Sequence, residues 1–292
     1  MFVEDLIGNT PLVEVRHINT NPNVKIYCKL EGQNPGGSVK DRAAYGMING
    51  ALKRGDIKKG DKLVEATSGN TGIALAMISR LLGLEMNLIM PDSATAERVK
   101  SMEAYGAKVI LTPAEKTIEY SRKVAEEMAE SNEYFMLNQF ANPDNYKAHY
   151  TTTGPEIYKD TNGEITHFVS AMGTTGTIMG VSKYLKEQNP KIEIVGTQPT
   201  DGSKIPGIRR WSPEMVPDIF DASHVDTVLD VSQEEATAMA RRMAKEEGIL
   251  AGMSSGGALT AAIKLANKLD SGTIVCITCD RGDRYLSTDL FE

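Results

Sequence analysis

The chain of 292 residues is 41% hydrophobic and 24% charged, a balance that supports a buried core and leaves no tract polar enough to read as disordered. Its formal net charge of -7 argues against a nucleic-acid binder, which would carry a basic face. The acidic N-terminus MFVEDLIGNTPL, the lack of a long apolar run and a complement of three cysteines argue against a signal peptide, a membrane span and a disulfide scaffold; they predict a cytoplasmic protein.

Short apolar runs alternate along the chain with amphipathic stretches of 3.6-residue period. A strand over 25–31 precedes a helix over 40–55, and a strand over 62–66 precedes a helix over 71–83. Strand 86–90, helix 95–106, strand 108–111 and helix 115–130 follow, several of the helices ending in glycine. The segment NPDNYKAHYTTTGPEIYKD, 142–160, receives no element. Beyond it come strand 166–171, helix 177–188, strand 192–197, an irregular stretch over 198–226 and strand 227–231. Helices over 233–248 and 256–269 and a strand over 273–278 complete the series. Such alternation implies parallel strands with helices on both faces, and two separate series imply two α/β layers or domains. Ligands in such folds bind at the carboxyl ends of strands.

Four predicted strand ends carry candidate loops. In ATSGNTG, 66–72, Thr67, Ser68, Asn70 and Thr71 offer hydroxyls, an amide and helix N-terminal N–H groups to a carboxylate, where an ordinary cap would need only one of them. MGTTGT, 172–177, has the amides and hydroxyls to cradle one phosphate; it lacks the lysine of a triphosphate loop and the full G-x-G-x-x-G pattern, so a phosphate monoester fits best. AGMSSGGA, 251–258, sets Ser254 and Ser255 before a helix, the usual place of a cap. TCDRGDRYLST, 278–288, brings Cys279 and alternating charges, as a salt-bridged turn would. Cys276 and Cys279 match C-x-x-C, but residues three apart on a strand face opposite sides, which disfavours a shared disulfide or metal.

Lys40, in NPGGSVKDRAA, reads by itself as one member of a solvated charge pair at a helix start, with Asp41 and Arg42 beside it. Placed with a phosphate loop and a carboxylate loop, and set behind Gly36 and Gly37 that allow close approach of a flat ligand, it completes the set of groups that pyridoxal 5'-phosphate (PLP) requires.

IGNTPLVEV, NPGGSVKDRA, EATSGNTGIALA, TTTGPEI, EGILAGMSSGGA and DRGDRYLST occur in the order found in one family. Nearly end to end, the sequence resembles the cysteine synthases, or O-acetylserine sulfhydrylases, of PLP fold type II; MGTTGT, SKIPGIRRW and CDRGDRY make it similar to their B type. The resemblance implies two three-layer α/β domains with mainly parallel twisted sheets, like tryptophan synthase β, and an active site in the cleft between them. A smaller mobile domain would span 38–142, and a larger one 1–37 with 143–292, in a homodimer. The short tail after YLST implies no appended regulatory domain.

By the same resemblance Lys40 is the Schiff-base lysine, Asn70 contacts the cofactor's ring hydroxyl, and Gly173, Thr174, Thr175, Gly176 and Thr177 hold its phosphate. Thr67, Ser68, Asn70 and Thr71, with Gln139, receive the substrate carboxylate. The partner of the pyridine nitrogen maps to Ser254 or to Cys279. The implied reaction is β-replacement, converting O-acetyl-L-serine and sulfide to L-cysteine through a Lys40 aldimine and an α-aminoacrylate. Arg209 and Arg210 would admit thiosulfate, giving S-sulfocysteine. The alternatives within the fold are an O-phosphoserine sulfhydrylase, a cystathionine β-synthase and a serine or threonine dehydratase. A non-catalytic binding protein is disfavoured by the intact Lys40 and both loops.

Overall fold

The computed structural model describes residues 1–67 and 69–292; Ser68, expected to bind substrate, lies outside the described residues. Two sheets organise the chain. The smaller has four parallel strands: β3 (Lys62–Ala66), β4 (Glu85–Pro91), β5 (Lys108–Thr112) and β6 (Tyr134–Met136), in the order β5-β4-β3-β6. The larger has six: β1 (Leu12–Glu14), β2 (Val24–Leu30), β7 (His167–Ala171), β8 (Glu193–Pro199), β9 (Thr227–Val231) and β10 (Gly272–Thr278), in the order β1-β2-β10-β7-β8-β9. Among the strand pairs of the described residues, only β1–β2 is antiparallel.

Strand alternation decides which helix covers which face. Along β3, Leu63 packs with α1 (Lys40–Arg54) and α2 (Asn70–Leu81), while its neighbours Val64 and Ala66 pack with α4 (Thr117–Glu130) on the opposite face. Along β10, Ile274 and Cys276 join α8 (Gln233–Glu247) and α9 (Met253–Ala266). Val275 and Ile277 join α6 (Thr153–Asp160) and α7 (Gly176–Gln188). Each sheet is therefore the middle of three layers. Among the described residues no helix is long and apolar enough to cross a membrane.

The segment 142–160 holds two helices absent from the sequence reading, α5 (Pro143–Thr151) and α6. The signal for α5 is its local cap and not periodicity: Asn142 Oδ1 accepts from the Asp144 N–H at 3.0 Å and Pro143 opens the helix. Thr152, non-helical at φ -128° and ψ -69°, separates the two helices. The three-residue strands β1 and β6 are likewise absent from the predicted series, too short for an apolar alternation to mark them. The helix expected from 256 begins at Met253, which places Ser254 and Ser255 inside its first turn.

The charges beside Lys40 are not a solvated pair. Asp41 and Arg42 are 0% and 2% exposed. Arg42 forks onto Glu31 (2.7 and 2.8 Å) and Glu156 (2.6 and 2.8 Å), and Lys29, fully buried, adds to Glu156 at 3.0 Å. This ionic cluster ties the start of α1 to the end of β2 and to α6. The neighbouring Arg42 holds the Glu31 carboxyl below its usual range despite burial, and pulls Glu156 down to about 2 against its own desolvation.

Candidate active site

Lys40 stands at the first turn of α1, where the chain crosses from one sheet toward the other. The Val39 N–H donates to the Cys279 carbonyl at 2.8 Å, and Ser38 forms an antiparallel bridge with Asp280, so the loop after β10 clamps the lysine in place. Gly36 and Gly37 make room for protein and not for a ligand. A Cβ on Gly36 would sit 2.7 Å from Asp41 Oδ1, and one on Gly37, at φ +84°, would overlap Arg284. Asp41 Oδ2 accepts the Gly36 N–H at 2.5 Å, and burial raises this carboxyl to about 7.

A cavity of about 260 Å³ opens in front of Lys40, between the carboxyl ends of β3 and β7. Thr67, Asn70, Thr71 and Gln139 line it from the four-stranded sheet, and Gly173, Thr174 and Ser254 from the six-stranded one. Desolvation holds the Lys40 ammonium below the ordinary lysine range, opposed by the nearby Cys279. Thr71 Oγ1 donates to Gln139 Oε1 at 2.9 Å, joining two of the expected substrate ligands.

The 173–177 loop has the form of an anion cradle. Thr175 is left-handed at φ +68°, turning the chain into α7, whose first N–H groups have no partner one turn back. A Cβ on Gly173 would lie 2.7 Å from the Gly207 carbonyl, so only glycine keeps the loop this narrow. Thr177 Oγ1 lies 3.3 Å from Nε2 of buried His149, which desolvation and then Arg42 push down to about 3, leaving a neutral imidazole at ordinary pH. A phosphate would thus meet amides and hydroxyls, with Lys40 across the cavity; the residues present fit PLP.

Ser254 and Cys279 occupy different positions. Ser254 lines the cavity beside Gly207, whereas Cys279 does not line it; its N–H donates to Ser255 Oγ at 2.9 Å. Burial, then Asp280, raises the Cys279 thiol to about 12, so it stays neutral. Cys276 turns to the other face of β10, with its Sγ 3.6 Å from Cys28 Sγ. Arg209 lines the cavity mouth, but Arg210 does not; it pairs with Asp230 at 2.6 Å and Asp201 at 3.2 Å and donates to the Pro199 carbonyl.

Four residues that the sequence assigns no role shape the site. Asp280 Oδ2 accepts from Asn70 Nδ2 at 2.7 Å and from the Tyr285 hydroxyl at 2.6 Å, while Arg284 donates to Asn70 Oδ1. Arg98, on α3 (Ala96–Ala104), lies over the Tyr285 ring at 5.6 Å and also lines the cavity. The motif CDRGDRY held the signal for Asp280 and Tyr285; nothing local singled out Arg98.

A reactive lysine facing an anion cradle across a cleft between two α/β layers defines an enzyme that works through a phosphorylated carbonyl cofactor. The pyridoxal-phosphate dependent enzyme family model matches residues 3–280, and the chain belongs to that family. It is 55% identical over 290 residues to cysteine synthase B of Pseudomonas aeruginosa, covering 99% of this chain and 97% of that one. Against cysteine synthase B of Escherichia coli the identity is 56% over 289 residues, with 99% and 95% covered. The crystal structure of cysteine synthase from Entamoeba histolytica superposes with a TM-score of 0.94 at 39% identity, covering 99% of this chain and 90% of that chain.

Proposed function

We propose that the protein makes L-cysteine by β-replacement: the Cβ–O bond of O-acetyl-L-serine breaks, acetate leaves, and sulfide forms the new Cβ–S bond. The observation that carries this is one cavity lined by Lys40, Thr174 of the phosphate loop, and the Thr71–Gln139 pair, in a chain more than half identical to cysteine synthase B. Bound PLP supplies an electron sink at the substrate α-carbon. Lys40, with its depressed proton affinity, takes the α-proton as a general base at Nζ. Thr67, Thr71, Gln139 and the N-terminus of α2 hold the substrate carboxylate, with Ser68 assigned to the same task by sequence. Ser254 is the partner of the ring nitrogen, since it lines the cavity and Cys279 does not; a neutral partner there leaves that nitrogen unprotonated and favours loss of the β-substituent.

Arg209 at the mouth is the group placed to admit thiosulfate as an alternative nucleophile. Closure of residues 38–142 over the bound substrate would keep water from the reacting carbon. A cytoplasmic homodimer completes the reading. Purified protein with PLP, given O-acetylserine and sulfide, should yield cysteine and acetate in equal amounts. Pyruvate without cysteine would identify a dehydratase instead, and turnover of O-phosphoserine alone would move the assignment to a phosphoryl leaving group.

A further inference from the structure

Asn145 is 2% exposed in the first turn of α5 and has no part in the roles given above. Its Nδ2 donates to the Gln139 carbonyl at 2.8 Å and to Thr174 Oγ1 at 3.1 Å. The amide orientation follows from chemistry, because a backbone carbonyl only accepts and must face the NH2 end. The two acceptors come from different sheets. Gln139 follows β6 and its side chain accepts from Thr71; Thr174 follows β7 in the anion cradle. By accepting from Asn145, the Thr174 hydroxyl keeps its own proton free for an anion in that cradle. The fit is close: a Cβ on Gly176 would overlap Asn145 Oδ1.

We propose that Asn145 is a positioning residue, a single amide that fixes the spacing between the Gln139–Thr71 pair receiving the amino-acid substrate and the Thr174 loop receiving the cofactor phosphate. The proposal rests on the substrate assignment above. A primary amide serves two acceptors with its two hydrogens, whereas a carboxylate of the same shape donates none. In Asn145→Asp the Gln139 carbonyl faces a carboxylate and loses its donor, but the Thr174 hydroxyl turns to donate. In Asn145→Ala both arms are lost.

The test measures three things on holoenzyme: PLP retention on dialysis, followed by cofactor absorbance, the KM and kcat for O-acetylserine, and the melting temperature. Asn145→Ala is expected to weaken PLP retention and to raise KM, each by about tenfold, the size of one lost buried hydrogen bond. Asn145→Asp is expected to raise KM by a similar factor with retention within about threefold of wild type. A lower melting temperature with KM and retention both unchanged in Asn145→Asp would overturn the positioning role. If Asn145→Ala does not fold, Asn145→Ser, which keeps one donor on a shorter arm, replaces it and must show both defects. PLP retention is read without substrate; wild-type protein that ignores O-acetylserine would thus refute the substrate assignment while the cofactor arm still tests Asn145.

Discussion

Asn70 and Asp280, 210 residues apart in the chain, are joined by a 2.7 Å hydrogen bond that crosses from α2 to the loop after β10. Asp280 is buried and its carboxyl is raised, chiefly by desolvation, yet it collects donors from Asn70, Tyr285 and the Gly252 N–H. Asp280→Ala would leave these donors unpaired. The expected result is a loss of roughly 2–4 kcal/mol in urea unfolding, with weaker PLP binding because Asn70 is no longer aimed. Asp280→Asn, which keeps the shape, should lose less on both measurements; equal losses would show that the carboxylate charge and not the hydrogen-bond pattern is what matters.

Lys40→Ala should abolish covalent attachment of PLP and cysteine formation while leaving the unfolding midpoint close to wild type. Its side chain lines a cavity and takes no part in the Arg42 cluster. Mass spectrometry after borohydride reduction reads attachment directly, and persistence of a reduced adduct would remove Lys40 from its assigned role.

Arg42 lies two residues from Lys40 and forks onto two carboxylates, so truncating it strands Glu31 as an uncompensated buried charge. Arg42→Ala should cost about 3–5 kcal/mol of folding stability, measured by chemical denaturation. Arg42→Lys keeps the charge but not the fork, and should recover only part of the loss.

Glu65, 4% exposed on β3, accepts the Asn138 N–H at 3.0 Å, and desolvation raises its carboxyl from 4.5 to about 7. The folded state therefore binds this proton more tightly than the unfolded chain does. Its contribution is fullest below about pH 4.5 and is lost as pH rises to about 7, by up to ~3 kcal/mol. Glu65→Gln should remove that slope. The stability difference between variant and wild type, followed by urea unfolding across this window, should move in favour of the variant with rising pH, and parallel curves would contradict the assignment.

Arg209 and Arg210 are adjacent in sequence but differ in position, with only Arg209 at the cavity mouth. Arg209→Ala should lower turnover with thiosulfate about tenfold while changing sulfide turnover little, since only the larger anion needs a counter-charge there. Arg210→Ala should affect neither nucleophile. A thiosulfate-specific loss in Arg210→Ala would show that its pairs with Asp201 and Asp230 open during turnover.

The sequence by itself determined the alternation of strands and helices, the lysine, the two ligand loops and the family to which they belong. Those features are local: a 3.6-residue period, glycines and hydroxyls at strand ends, and motifs of up to a dozen contiguous residues. Helix α5 is an exception, because its cap and not apolar spacing marks it. What only the tertiary structure decided is which distant groups meet. Asn70 finds Asp280, Arg42 finds Glu31 and Glu156, and Ser254 faces the cavity while Cys279 does not. Burial is a property of packing across two sheets, so the same Asp-Arg dipeptide that reads as a solvated helix start becomes, once the layers close, part of the framework that holds Lys40 in place.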